Sequence, residues 1–192
     1  MPGTALTAAV LRYFAFLRAV NVGGRFVKMN VLANHFRELG HAEVSTFIAS
    51  GNVVFRSGAR STALLAASLQ EALAVRLGFA SDVFVRSEPE LQAAAARAAA
   101  LEPRVAPPGE VDALFLAQPL TPAQVAALQA LRSPTDEFVV DDAEVYWLCG
   151  RKQSDPMFSN ILFERKVRAK ATMRRASMPA GLAERLRAGK AA

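Results

Sequence analysis

Two short stretches carry residue types that could hold an anion. In Asn21-Val22-Gly23-Gly24-Arg25-Phe26-Val27-Lys28, adjacent glycines stand with an amide side chain and two cations, and Arg18 lies just before them. About thirty residues on comes Ser50-Gly51-Asn52, another small, polar turn sequence. Glycine lets backbone amides approach a ligand, a concave set of amides attracts negative charge, and Arg18, Arg25 and Lys28 would add formal charge. The pattern is neither the P-loop, which needs Gly-Lys-Ser/Thr entering a helix, nor the dinucleotide fingerprint. The same residues also suit plain chain reversals, with Asn21 and Asn52 satisfying loop backbone. Both readings stand at this point.

Other chemistries find less support. His35 and His41 have no cysteine or carboxylate at ligand spacing, so they read as surface residues and no metal is expected. Cys149 alternates with Val145 and Trp147, which predicts a packed thiol on one strand face. Asp141, Asp142 and Glu144 fall where a hairpin turn collects acidic residues. Ser50 has no histidine partner that the pattern places nearby. No catalytic set and no cofactor-binding motif emerge.

The elements that must position the two turns follow from periodicity. Residues 12 to 18 (RYFAFLR) form an aromatic-rich strand. Asn30 is expected to cap a helix with Leu32, Phe36 and Leu39 on one face, closed by Gly40. Residues 44 to 48 and 53 to 56 flank Ala49-Ser50-Gly51-Asn52 as a hairpin. A helix from 61 to 77 buries Leu65, Leu69 and Leu73, a strand covers 83 to 85, and Ser87-Glu88-Pro89-Glu90 opens an alanine-rich helix that stops before Pro103.

After a linker at 103 to 110 the order repeats. A strand at 111 to 117 precedes a helix capped by Thr121-Pro122-Ala123-Gln124, then a hairpin of 137 to 140 with 145 to 149. A helix from Asp155-Pro156 carrying Phe158, Ile161 and Leu162, a strand near 171 to 174 and a short helix from Pro179 complete it. Equivalent elements are offset by about ninety residues.

This order predicts an α+β fold: a tandem duplication of two ferredoxin-like (β-α-β-β-α-β) subdomains with antiparallel sheets, at 1 to 102 and 111 to 192. Right-handed crossovers then bring the Asn21 to Lys28 loop beside the Ser50-Gly51-Asn52 hairpin at one edge. The RNA-recognition motif shares the topology. Here Tyr13, Phe14, Phe16 and Phe55 read as core rather than as its base-stacking aromatics.

Composition bounds the class. With 52% hydrophobic and 21% charged residues among 192, the chain can bury a core and does not read as disordered. No run approaches the roughly 18 apolar residues that cross a bilayer, and Arg12 and Arg18 interrupt the apolar start, so no membrane association is expected. One cysteine precludes an internal disulfide and fits a cytoplasmic setting. The net charge of +6 is unevenly spread: from Arg151 onward eleven Lys and Arg face three Asp and Glu, leaving the rest slightly acidic. Such asymmetry can draw a nucleic acid or another anion, and equally describes solvated helix faces.

Residues Leu17-Arg18-Ala19-Val20-Asn21-Val22-Gly23-Gly24, Val27-Lys28-Met29 and Thr46-Phe47-Ile48-Ala49-Ser50-Gly51-Asn52-Val53-Val54-Phe55 resemble the hallmark of a bacterial family, domain of unknown function 1697. Family members usually show L-R-G-I-N-V-G-G, then K-M, then a threonine-tyrosine-x-x-S-G-N hairpin; Ala19 and Phe47 replace a glycine and a tyrosine, both mild changes. The segment Thr172 to Met178 resembles the family's T-x-R-N-W-N-T, keeping Thr172 and Arg174. The resemblance implies a duplicated ferredoxin-like build without an established activity. It also marks Arg18, Asn21, Gly23, Gly24, Lys28, Ser50, Gly51 and Asn52 as recurrent.

Three functional classes follow. The first is a binding module that holds a phosphate-bearing small molecule or nucleic acid at the shared edge, through Arg18, Asn21, Gly23, Gly24, Arg25, Lys28, Ser50, Gly51 and Asn52, helped by Arg168, Lys170 and Arg174. The second is an enzyme acting on a small anionic substrate there, which needs a pocket with a titratable side chain. The third is an interaction protein whose glycine loops are architectural.

Overall fold

A computed structural model describes residues 10–21, 25–47, 51–150, 158–178 and 181–182. The fold is α+β. Among the described residues, eight strands form two four-stranded antiparallel sheets, accompanied by five α-helices. The first half contains β1 (Leu11–Leu17), α1 (Met29–Glu38), β2 (Ala42–Phe47), β3 (Asn52–Ser57), α2 (Thr62–Leu77) and β4 (Val83–Ser87). Then come α3 (Glu88–Leu101), β5 (Glu110–Leu116), α4 (Pro122–Gln129), β6 (Asp136–Asp141), β7 (Glu144–Cys149), α5 (Asn160–Val167) and β8 (Ala171–Arg175). The sheet orders, β2-β3-β1-β4 and β6-β7-β5-β8, are the same plan used twice.

Each sheet buries one face under its helices. In the first half, Tyr13, Ala15 and Leu17 of β1 pack with Leu32 and Phe36 of α1 and Leu65, Leu69 and Leu73 of α2. In the second, Leu114, Val145, Trp147 and Cys149 pack with Leu128, Phe163 and Val167. Period-two strands and period-four helix faces therefore bury the residues that their spacing selects. Cys149 is a packed thiol, as its alternation predicts. The opposite face of β1 is closed as well, with Phe14 and Phe16 at most 1% exposed.

Capping chemistry accounts for several helix starts. Ser61 accepts from the Leu64 amide at 3.3 Å, and Thr121 and Gln124 form the reciprocal box that their spacing predicts. Asn30 does not cap α1. The helix begins at Met29 with Lys28 at the cap position, and Asn30 instead accepts from the adjacent Val31 amide. An extended backbone at Lys28 (φ −63°, ψ 136°) starts the helix two residues earlier than the asparagine signal suggests.

One other expectation changes. Helix α5 begins at Asn160, capped by Ser159, and Phe158 precedes it as a core residue. Phe163 and Val167 are its buried residues, while Ile161 is 76% exposed. Asp155-Pro156 and the Pro179 helix start lie outside the described residues. The chain divides into two compact units between Glu88 and Pro89, so that nearly all of α3 groups with the second unit. A hydrogen bond from Tyr146 Oη to the Ala94 carbonyl at 3.2 Å ties α3 to the second sheet.

Candidate functional site

The end of β1 and the β2-β3 turn meet directly. The Leu17 amide donates to the Gly51 carbonyl at 2.8 Å, and Phe16 pairs with Asn52 in the β1-β3 register. Gly51 has φ +74°, and a Cβ there would come within 3.1 Å of the Leu17 carbonyl oxygen. Gly51 is thus required by both backbone conformation and close approach. Gly23, Gly24 and Ser50 lie outside the described residues.

Several expected ligand residues are engaged in holding the edge together. Arg18 Nη1 lies 3.3 Å from Asp82 Oδ2, and the Arg18 amide and carbonyl bond to Asp82 and Ser81. Both side chains of this pair are about three-quarters buried. Asn21, at φ +63°, accepts from the Val27 amide at 2.7 Å while its own amide donates to the Arg25 carbonyl at 2.7 Å. These two bonds tie Asn21 to Arg25 and Val27. Asn52 is 1% exposed and donates to the Phe47 carbonyl at 3.1 Å, bracing the hairpin.

Two cations remain turned to solvent. Arg25 and Lys28 are exposed, and among the described residues neither is held by a carboxylate. The Arg25 guanidinium carbon sits 5.4 Å from the centroid of the Phe79 ring, a cation–π contact that orients it. Lys28 stands at the cap position of α1 with no side-chain cap bond of its own, and the first turn carries no acidic residue. The helix dipole there adds positive potential to the Lys28 charge.

The C-terminal cations behave differently from one another. Arg174 donates to Thr172 Oγ1 and to the Met173 carbonyl, both at 2.8 Å, and burial lowers its pKa to about 10. Thr172 and Arg174, the two residues that the family-like C-terminal segment keeps, thus bond each other. Arg168 and Lys170 are exposed. Among the described residues no cluster of metal-ligating side chains occurs. His41, expected at the surface, is half-buried with its ring 4.7 Å from that of Phe55, and burial lowers its pKa.

Two clefts of roughly 260 and 300 Å³ lie in the second unit and touch none of the edge residues. The first is bordered by Asp136, which accepts from Trp147 Nε1 at 2.9 Å and Ser133 Oγ at 2.5 Å, and by Glu137, which ties Arg104 and Arg132. Its charged groups already satisfy one another.

Phe26 is 76% exposed and lies in the chain between the two solvent-facing cations, and its signal in the sequence is an aromatic residue next to arginine in a glycine-containing loop.

The model of the family described as "Protein of unknown function (DUF1697)" matches residues 10–146, which include the glycine loop, the Ser50-Gly51-Asn52 hairpin and the first strands of the second sheet. The chain belongs to this family. A solved structure described as that of a conserved bacterial protein from Streptococcus pneumoniae is similar to this DUF1697 protein with a TM-score of 0.69 and 25% sequence identity. The similarity covers 93% of this chain and 99% of that one. No functionally curated protein matches the sequence. No helix among the described residues is long and apolar enough to cross a membrane.

Proposed function

We propose that this DUF1697 protein is a binding module for a phosphate-bearing ligand, a nucleotide or nucleic acid, held where the Asn21 to Lys28 loop meets the Ser50-Gly51-Asn52 hairpin. The observation that carries this reading is the pair of exposed cations, Arg25 and Lys28, on a segment that Asn21 bonds at Arg25 and Val27. Backbone held at those two residues lowers the ordering cost of presenting the charges, which favours an anion that bridges them. Arg18, Asn21, Gly51 and Asn52 then act as the frame that positions the binding groups, and Gly23, Gly24 and Ser50 supply backbone or hydroxyl donors.

In the same reading each half is a ferredoxin-like unit, supported by the strand order and by helices on one face of each sheet. A cytoplasmic setting fits the single buried thiol. The enzyme alternative has less to draw on, because neither cleft is lined by a described residue of the edge. Titration of the protein with inorganic polyphosphate and with a labelled oligonucleotide at low salt tests the proposal. Binding weakened by Arg25→Ala and Lys28→Ala is expected, and no binding of either probe would remove it.

A further inference from the structure

Most aromatic residues of the first unit are hidden: Tyr13, Phe14, Phe16, Phe36, Phe55 and Phe84 are at most 2% exposed. Phe47 and Phe79 are half-buried, and Phe26 stands out at 76%. Its exposure is not forced by a disordered backbone, because the Asn21 bonds to Val27 and Arg25 fix the chain on both sides of it. Val27 turns inward to the core, and its neighbours Phe26 and Lys28 face solvent. An apolar ring is therefore exposed to water, with exposed cations one residue before it and two residues after it.

We infer that Phe26 stacks a base of a single-stranded nucleic acid whose flanking phosphates meet Arg25 and Lys28; the inference rests on the phosphate-binding reading above and names its ligand class. Stacking on an aromatic ring uses the π-face that every base offers, and neighbouring cations track the backbone, which is how single strands are bound without sequence readout. Along the chain a cation precedes and another follows the ring, an order that suits a base with a phosphate on each side. A polynucleotide has that arrangement internally, whereas a mononucleotide carries its phosphates on one side only. A duplex is disfavoured because its bases are already stacked and paired. The sheet face that an RNA-recognition motif would use is closed here, since Phe14, Phe16 and Phe84 are buried, so the stacking function falls to the loop.

The test is fluorescence anisotropy with a labelled oligothymidylate of about a dozen nucleotides, using the full chain and its Phe26→Ala, Phe26→Trp and Lys28→Ala variants. The substitutions sit on the surface, and circular dichroism verifies the fold of each. Phe26→Ala should weaken binding by about tenfold or more, the scale of losing one stacking aromatic. Phe26→Trp should retain it, and a matched duplex should bind more weakly than the single strand. If Phe26→Ala binds as tightly as the parent while Lys28→Ala does not, the stacking inference is overturned and the phosphate-binding reading stands. Binding of inorganic polyphosphate but not of the oligonucleotide has the same meaning. Absence of binding to both probes overturns both readings.

Discussion

The Leu17 amide and the Gly51 carbonyl are 2.8 Å apart, and this bond joins the end of β1 to the turn before β3. It places the loop that leaves β1 beside the hairpin that returns to it. Two stretches separated along the chain therefore become one edge, and the residues there divide into those that build the edge and those that face outward.

Gly51 belongs to the builders. Gly51→Ala puts a Cβ on a residue at φ +74° and against the Leu17 carbonyl. The expected loss of stability is about 1–2 kcal/mol, the cost of a left-handed L-residue, read by urea denaturation. An unchanged midpoint would mean that the turn relaxes freely.

Ala19 offers the opposite change. It is exposed at φ 54°, a conformation that alanine adopts at a cost. The family's usual glycine at this place now has a physical reason. Ala19→Gly should stabilise the protein by about 0.5–1 kcal/mol, after allowing for the added freedom of the unfolded chain. A destabilised variant would show that the left-handed backbone at Ala19 carries no strain.

His41 makes stability depend on pH. Burial against Phe55 lowers its folded pKa below the ordinary 6.5, so the unfolded chain takes up the proton first as pH falls. Stability should be fully present above about pH 6.5 and decline below it. His41→Phe, which keeps a ring beside Phe55, should flatten that part of the stability profile between about pH 7.5 and 5.5. An equally steep profile in the variant would assign the slope to other groups.

Much of this architecture was legible because its signals are local. Thr121 with Gln124, Ser61 before an apolar helix, and Ser50-Gly51-Asn52 between two β-rich runs each announce a structure within a few residues. What was not legible depends on distant partners. Arg18 looked like an anion ligand, but Asp82, 64 residues away, holds it. Asn21 and Asn52 looked equally apt for a ligand or for loop backbone, and they bond backbone. Asn30 lost the cap position to Lys28 because an extended backbone at Lys28 starts the helix first. Phe158 joined the core from outside its helix through ring contacts with Phe138 and Trp147 near 4.8 Å, which no periodicity encodes.

The central claim is that Arg25 and Lys28 bind phosphates, and the salt dependence of oligonucleotide binding tests it most directly. Each phosphate contact on a single strand contributes about 0.7 to the slope of log K against log salt. The Arg25→Ala, Lys28→Ala double variant should therefore bind more weakly and with a slope shallower by about 1.4 than the parent's. A parent and double variant with the same affinity and the same slope would contradict it.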